Sequence, residues 1–145
     1  MDERLLEIRQ YSGEGYRPLI DFAAWRVAIL RWEESLLPEN IGMMERHTQT
    51  DEVFVLLEGQ ATLILGGNSE RVDGIHPQGL EVGKLYNVKQ DAWHTILLSR
   101  DASILIVENR DTGEDNTEYC RLSMEFKKEI ISLSRGGSRP ALAMF

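Results

Sequence analysis

The sequence predicts a single all-β domain, a sandwich or barrel, that ends in one short α-helix. Three observations support this prediction: short apolar runs recur along the chain, turn residues separate them at regular spacing, and helical periodicity appears only near the C-terminus. The chain has 145 residues, which is enough for one domain with a proper core but too few for two. Residues 1–145 are therefore predicted to form one domain.

The first part of the chain mixes ambiguous and clear strand signals. Residues 4–11 fit either a short strand or a short helix, because their periodicity does not distinguish the two. Residues 16–22 carry Pro18, which indicates an edge strand or an extended lead-in. Residues 25–33 alternate as a strand with two partly apolar faces, and extended structure resumes over residues 41–47.

The middle of the chain holds two apolar runs after a polar turn. Residues 53–57 and 61–65 are joined by Glu58 and Gly59, and this pattern predicts a β-hairpin. Because residues 53–57 are apolar on both faces, the outer face needs cover, and we expect a homodimer through the outer sheet. The polar segment 70–80, with its glycines and proline, predicts a loop or a weak edge hairpin.

Three more strands and a helix complete the predicted order of elements. The strands are expected at residues 85–88, 95–98 and 103–107, and a turn-rich connection follows at 109–116. The helix is expected at about 122–134. Its signals are apolar residues three and four apart, Ser123 as a candidate N-cap and Gly136-Gly137 as a stop. The apolar residues 141–145 are expected to pack on their own domain or on a partner subunit.

Composition narrows the classes of partner. The formal net charge is −8 and the sequence pI is near 4.9, which argues against nucleic acid and anionic membranes as partners. Cys120 is the single cysteine, so the chain cannot form an internal disulfide, and its thiol fits a reducing compartment. The charged N-terminus is not followed by an apolar signal core. A soluble cytoplasmic protein is expected.

The candidate functional residues lie in two stretches. In an extended segment Glu45 and His47 point to one face, and Glu52 on the following strand can return to meet them. The stretch 83–98 supplies His94 as a fourth candidate. Two imidazoles and two carboxylates form a mixed nitrogen and oxygen set that suits Mn, Fe, Ni or Zn.

These stretches resemble the paired motifs of the cupin superfamily, here in the form of a small single-domain cupin with degenerate motifs. The first motif, G-x5-H-x-H-x3,4-E-x6-G, places its second histidine on His47, its glutamate on Glu52 and its last glycine on Gly59, while Glu45 replaces the first histidine. The second motif, G-x5-P-x-G-x2-H-x3-N, retains only its first glycine and its histidine. Its positions fall on Gly83, Lys89, Asp91, His94 and Leu98.

The resemblance implies a double-stranded β-helix, a jelly-roll barrel over about residues 25–110, with a divalent metal ion on Glu45, His47, Glu52 and His94. The additional carboxylate hardens the site and favours Mn or Fe. A metal-free alternative stays open, in which the same residues form a hydrogen-bonded polar cluster. Two carboxylates in one pocket repel each other unless a metal, a protonated histidine or an arginine such as Arg31 lies nearby.

Three functions are compatible with this resemblance. The first is a metal-dependent isomerase, lyase or dioxygenase that binds a small carboxylate or sugar-like molecule, with Glu45 or Tyr86 moving protons. A narrower enzyme hypothesis comes from a weaker resemblance to ureidoglycolate lyases, carried by residues 45–47, 93–95 and 109–111. The third is a metal-free barrel that binds or senses a small molecule without turnover.

Overall fold

The structure, a computed structural model, describes residues 2–135 and contains ten strands and one α-helix in that range. The strands are β1 (Gly15–Phe22), β2 (Trp25–Arg31), β3 (Met43–His47), β4 (Glu52–Glu58), β5 (Ala61–Leu65), β6 (His76–Gly79), β7 (Leu85–Val88), β8 (His94–Leu98), β9 (Ser103–Asn109) and β10 (Thr117–Arg121). The helix α1 spans Met124–Ser134, and three short 3-10 helices occupy Glu34–Leu36, Pro38–Asn40 and Glu114–Asn116.

The strands pair as one long hairpin rolled around itself. Strand β2 pairs with β9, β3 with β8, β4 with β7 and β5 with β6, and every pair is antiparallel. Successive pairs alternate between two five-stranded sheets, ordered β1-β2-β9-β4-β7 and β10-β3-β8-β5-β6. This nested pairing is that of a double-stranded β-helix, so the predicted jelly-roll barrel is confirmed.

The predicted hairpin of residues 53–57 and 61–65 is wrong. Strands β4 and β5 lie in different sheets, so Gly59 marks a corner at which the chain crosses between sheets. Gly59 has a φ of +78°, and a Cβ there would lie 2.6 Å from the Cα of Ala102. Two adjacent apolar runs fit a hairpin and a barrel corner equally well, because both need a tight turn.

Several other expectations are resolved by the strand pairing. Strand β1, which carries Pro18, is an edge strand as predicted. Segment 70–80, for which a loop or a weak edge hairpin was expected, contains the single edge strand β6, which pairs with β5. Residues 4–11 contain neither strand nor helix. Strand β10 was not predicted, because its mostly polar residues pair only with β3 and lack a buried face.

The helix is confirmed over nearly its expected length. Its N-cap is Ser123, whose hydroxyl oxygen accepts a hydrogen bond from the backbone N–H of Phe126 at 3.1 Å. The predicted stop at Gly136-Gly137 and the apolar residues 141–145 lie outside the described residues. Within residues 2–135, no helix is long and apolar enough to cross a membrane.

Two apolar clusters hold the fold together. One lies between the sheets and includes Leu30, Phe54, Ile96 and Ile106. The other lies between the second sheet and α1. Its members are Ile41, Met44, Ile64, Val72, Trp93, Leu97, Leu122 and Ile130. The helix therefore covers the outer side of the second sheet, and the first cluster, called the inner cluster below, packs in the barrel interior between the two sheets.

Candidate functional site

A cavity of about 440 Å³ opens between the two sheets. The inner cluster residues Leu30, Phe54, Ile96 and Ile106 form part of its wall. The remaining lining residues are mostly polar or aromatic. They are Tyr16, Arg26, Glu33, Leu36, Met43, Glu45, His47, Glu52, His94, Thr95, Glu108, Thr112, Gly113, Glu114, Thr117 and Tyr119. All four predicted metal ligands therefore face one cavity.

Both histidines converge on a single carboxylate oxygen. The Nε2 atoms of His47 and His94 each lie 3.0 Å from Oε1 of Glu52, and the rings stand edge to face with centroids 5.4 Å apart. The three side chains are between 5% and 8% exposed. His47 and His94 come from the paired strands β3 and β8, and Glu52 comes from β4 in the facing sheet, so the two sheets bring them together across the barrel interior.

The protonation of His94 follows from its second ring nitrogen. Nδ1 lies 3.0 Å from the carbonyl oxygen of Ala92, which can only accept, so Nδ1 carries the hydrogen. In a neutral ring Nε2 then presents a lone pair to the Glu52 oxygen. Nε2 is buried and makes no hydrogen bond to any of residues 2–135. The contact is therefore favourable only if Nε2 holds a proton or a cation lies between the two atoms.

Glu45 completes the cluster from the cavity side. Its Oε1 lies 3.8 Å from Nε2 of His47 and 3.9 Å from Nε2 of His94, and its side chain is 41% exposed. Glu45 and His94 are the single residue pair that joins β3 to β8, so both sit where the two strands meet. Among the described residues, two overlapping groups could hold a metal ion: Glu45 with His47 and His94, and His47 with Glu52 and Glu108.

The electrostatics of the metal-free cluster favour an ionised Glu52 between charged rings. Burial by itself would raise the pKa of Glu52, but contacts with His47 and His94 outweigh it and lower the pKa. Burial opposes the charged form of both histidines as well, yet the Glu52 carboxylate raises the pKa of each above its ordinary value. The cluster thus holds positive charge in place, whether as protons or as a cation.

A second polar group beside the cluster was not predicted. Glu108 is 3% exposed in its side chain, accepts a hydrogen bond from the Tyr16 hydroxyl at 3.3 Å and lies 3.4 Å from Nη2 of Arg26. Burial and the nearby Glu52 charge raise the pKa of Glu108 to about 7. Burial, with the Glu108 charge adding to it, also raises the pKa of Tyr16.

Sequence alternation could have revealed part of this second group. Arg26 has the same parity as the inward Ala28 and Leu30, and Glu108 the same parity as Ile104 and Ile106. Tyr16 carries no such signal, because its place depends on how β1 pairs with β2.

Two residues considered from the sequence lie elsewhere. Tyr86 is not among the described residues that line the cavity, and its hydroxyl accepts a hydrogen bond from the backbone N–H of Glu81 at 3.0 Å. The structure therefore does not bring Tyr86 together with Glu45. Arg31 pairs with Glu58 at 3.5 Å rather than with a cavity carboxylate, so Arg26 is the arginine that faces the site.

Comparison with known proteins gives structural matches only. No protein-family model matches the chain, and no curated protein matches its sequence. The structure is similar to a variant of Streptomyces PAC13 with uridine, at 12% identity over 86% of this chain and 98% of that chain, with a TM-score of 0.52. It is also similar to the capsular polysaccharide assembling protein CapF from Staphylococcus aureus, at 15% identity over 78% of this chain and 31% of that chain, with a TM-score of 0.52.

A third similar structure is a cupin-2 domain protein from Shewanella frigidimarina, at 20% identity over 69% of this chain and 85% of that chain, with a TM-score of 0.49. Identities this low are evidence of fold alone. The two matches with TM-scores of 0.52 agree with the predicted jelly-roll barrel, which the strand pairing shows. The two motif glycines that remain, Gly59 and Gly83, have φ values of +78° and +87°, in the left-handed region that favours glycine.

Proposed function

We propose that the cavity binds a divalent metal ion and a small polar molecule beside it, and that the protein is a metal-dependent enzyme of the cupin type. The observation that carries this proposal is the buried Nε2 of His94. It makes no hydrogen bond within the described part of the chain, yet it lies 3.0 Å from a carboxylate oxygen that His47 also contacts. A cation shared by these groups would satisfy all of them at once.

The residues present fit such an ion. His47 and His94 would supply imidazole nitrogens, Glu52 a buried carboxylate and Glu45 a carboxylate from the cavity side. The Nδ1 atoms are already engaged, with Thr117 Oγ1 at 2.9 Å for His47 and with the Ala92 carbonyl for His94. These contacts orient both rings so that Nε2 points inward, which is the usual arrangement behind metal-binding histidines.

The chain's own groups are placed to handle the bound molecule. A bound metal ion supplies Lewis acidity to an oxygen of that molecule. Glu45, which is partly exposed to the cavity, is positioned to accept or return a proton. The Tyr16 hydroxyl belongs to the second polar group, where its hydrogen bond to Glu108 holds it in place.

Elemental analysis by mass spectrometry tests the metal directly, on protein purified without chelator or affinity nickel. We expect near-stoichiometric Mn, Fe, Ni or Zn in the wild type and its loss in His94→Ala. The matched control is His76→Ala, since His76 is 64% exposed and does not line the cavity. Wild-type protein that carries no metal and binds none on addition would contradict the proposal.

A metal-free binding or sensing barrel is the second candidate, because a proton on Nε2 of His94 would also make its contact with Glu52 favourable. Ligand-induced thermal stabilisation without turnover favours this candidate. Uridine is one of the ligands to be tested for this stabilisation, because the similar PAC13 is described as a nucleoside dehydratase and a variant of it was solved with uridine. Ureidoglycolate is included as well, and release of glyoxylate from it would identify the lyase hypothesis.

We also propose a homodimer through the outer face of the first sheet. Val27, Val107 and Val53 pair across three adjacent strands. Ile29, Leu105 and Val55 form the next row. Because the residues between them belong to the inner cluster, both rows face outward. An apolar face of this kind is suited to a second copy of the chain.

A further inference from the structure

We infer that the cavity selects an uncharged, hydroxyl-bearing molecule and discriminates against carboxylates and phosphates. This inference deepens the proposed function and rests on it, since the molecule would bind beside the metal ion. It also narrows the ligand class expected from the sequence, which included small carboxylates.

The first reason is the number of carboxylates in the cavity wall. Five glutamates line it: Glu33, Glu45, Glu52, Glu108 and Glu114. A divalent cation would balance only part of this charge. An anionic ligand would therefore meet net repulsion, whereas a neutral ligand would meet acceptors for its hydroxyl groups.

The second reason is that the single guanidinium of the described cavity wall is already engaged. Arg26 donates from Nη2 to the Thr112 carbonyl at 2.8 Å and from Nη1 to the Arg110 carbonyl at 3.2 Å. Nη2 also faces Glu108, and the guanidinium lies 5.6 Å from the centroid of the Tyr16 ring. The buried Nε of Arg26 makes no hydrogen bond to a described residue. Carboxylate recognition by arginine uses two free parallel N–H groups, and with Nη2 occupied Arg26 does not offer such a pair. Arg26 instead holds the backbone of residues 110–112 against the barrel through these two carbonyls.

The third reason is the uncharged part of the wall. Tyr16 and Tyr119 are 39% and 53% exposed and line the cavity together with threonines and the apolar Met43 and Phe54. Such a wall offers apolar contact and hydroxyl groups without a positive charge. It suits a ring that carries hydroxyl groups better than a small dianion.

A titration of the cobalt(II)-loaded protein followed by visible absorption separates the two ligand classes. The probes are azide as the anion and imidazole as the neutral ligand, at low and at 0.5 M salt. The double variant Glu33→Gln/Glu114→Gln removes two cavity carboxylates that are not proposed metal ligands. The control Glu125→Gln/Glu129→Gln removes two exposed carboxylates from α1, outside the cavity.

We expect azide to bind about three-fold or more tightly to the cavity variant than to the wild type at low salt, with imidazole binding unchanged. The gain should shrink at 0.5 M salt, because the partly exposed carboxylates are screened. Equal azide affinity in the wild type and the cavity variant would overturn the inference. An equal gain in the control variant would overturn it too, since net charge alone would then explain the effect.

Failure of cobalt to bind the wild type would count against the proposed function rather than against this inference. The inference is then decided on metal-free protein, by following the ring signals of His47 and His94 by NMR while azide is added at fixed pH. Perturbation at lower azide concentration in the cavity variant supports the inference. An identical response in both proteins would contradict it.

Discussion

Replacing Arg26 by methionine should destabilise the protein far more than the same replacement of Arg31. Both arginines are on β2, and their side chains are 16% and 19% exposed. Their partners differ: the side chain of Glu108 is 3% exposed and that of Glu58 is 64% exposed. The pair thus compares a buried interaction with a solvated one on the same strand.

The magnitude follows from the contacts that are lost. Arg26→Met leaves two backbone carbonyls without their donor, at about 1 kcal/mol each. It also leaves the buried Glu108 without its cation, and breaking a buried pair costs about 3–5 kcal/mol. In the variant Glu108 can take up a proton instead of staying charged without a partner, so the total loss is smaller than the sum of these costs. We expect a loss of about 3–5 kcal/mol in the free energy of unfolding at pH 9. Arg31→Met should cost less than about 1 kcal/mol.

The loss from Arg26→Met should depend on pH. The pKa of Glu108 is raised to about 7, so Glu108 is protonated in the folded protein at pH 5 and ionised at pH 9. At pH 5 the ion pair is absent in the wild type too, and only the loss at the carbonyls remains, about 2 kcal/mol. Urea unfolding of both variants at pH 5 and pH 9 gives the comparison. Equal losses for the two variants, or a pH-independent loss for Arg26→Met, would refute this reasoning.

Three further predictions concern the cluster, a corner and the outer face. In chelator-treated protein the raised pKa values of His47 and His94 contribute stability that is fully present below about pH 6.5 and is lost as the pH rises through these raised values. Thermal unfolding from about pH 6 to pH 9 should show this loss, and the Glu52→Gln variant should show a weaker dependence of stability on pH. Gly59→Ala should cost about 1–3 kcal/mol in urea unfolding, because its Cβ would meet the backbone of Ala102; a loss under 0.5 kcal/mol would contradict the assigned corner. Sedimentation at micromolar concentration should show a dimer that Val55→Glu dissociates, and a monomeric wild type would exclude this interface.

The sequence by itself determined the class of fold and the main candidate residues. Alternation and turn residues placed the strands from residue 16 to residue 109, because a buried strand face requires apolar residues at every second position. The spacing of Glu45, His47 and Glu52 placed three candidate ligands together, and the resemblance to the cupin motifs added His94; all four line one cavity. The first step depends only on neighbours along the chain, whereas the placement of His94 depended on the resemblance.

Only the tertiary structure decided which strands are partners. The turn at Gly59 fits a hairpin as well as a barrel corner, and strand β10 has no buried face of its own to reveal it. Glu108 and Arg26 face each other because β2 pairs with β9, over 80 residues away in sequence. Tyr86 is paired with Phe54 and packs against the inner cluster, but it does not line the cavity, and its hydroxyl is held by the backbone N–H of Glu81. Local pattern carries no information about such distant pairing, and the charge of the cavity depends on it.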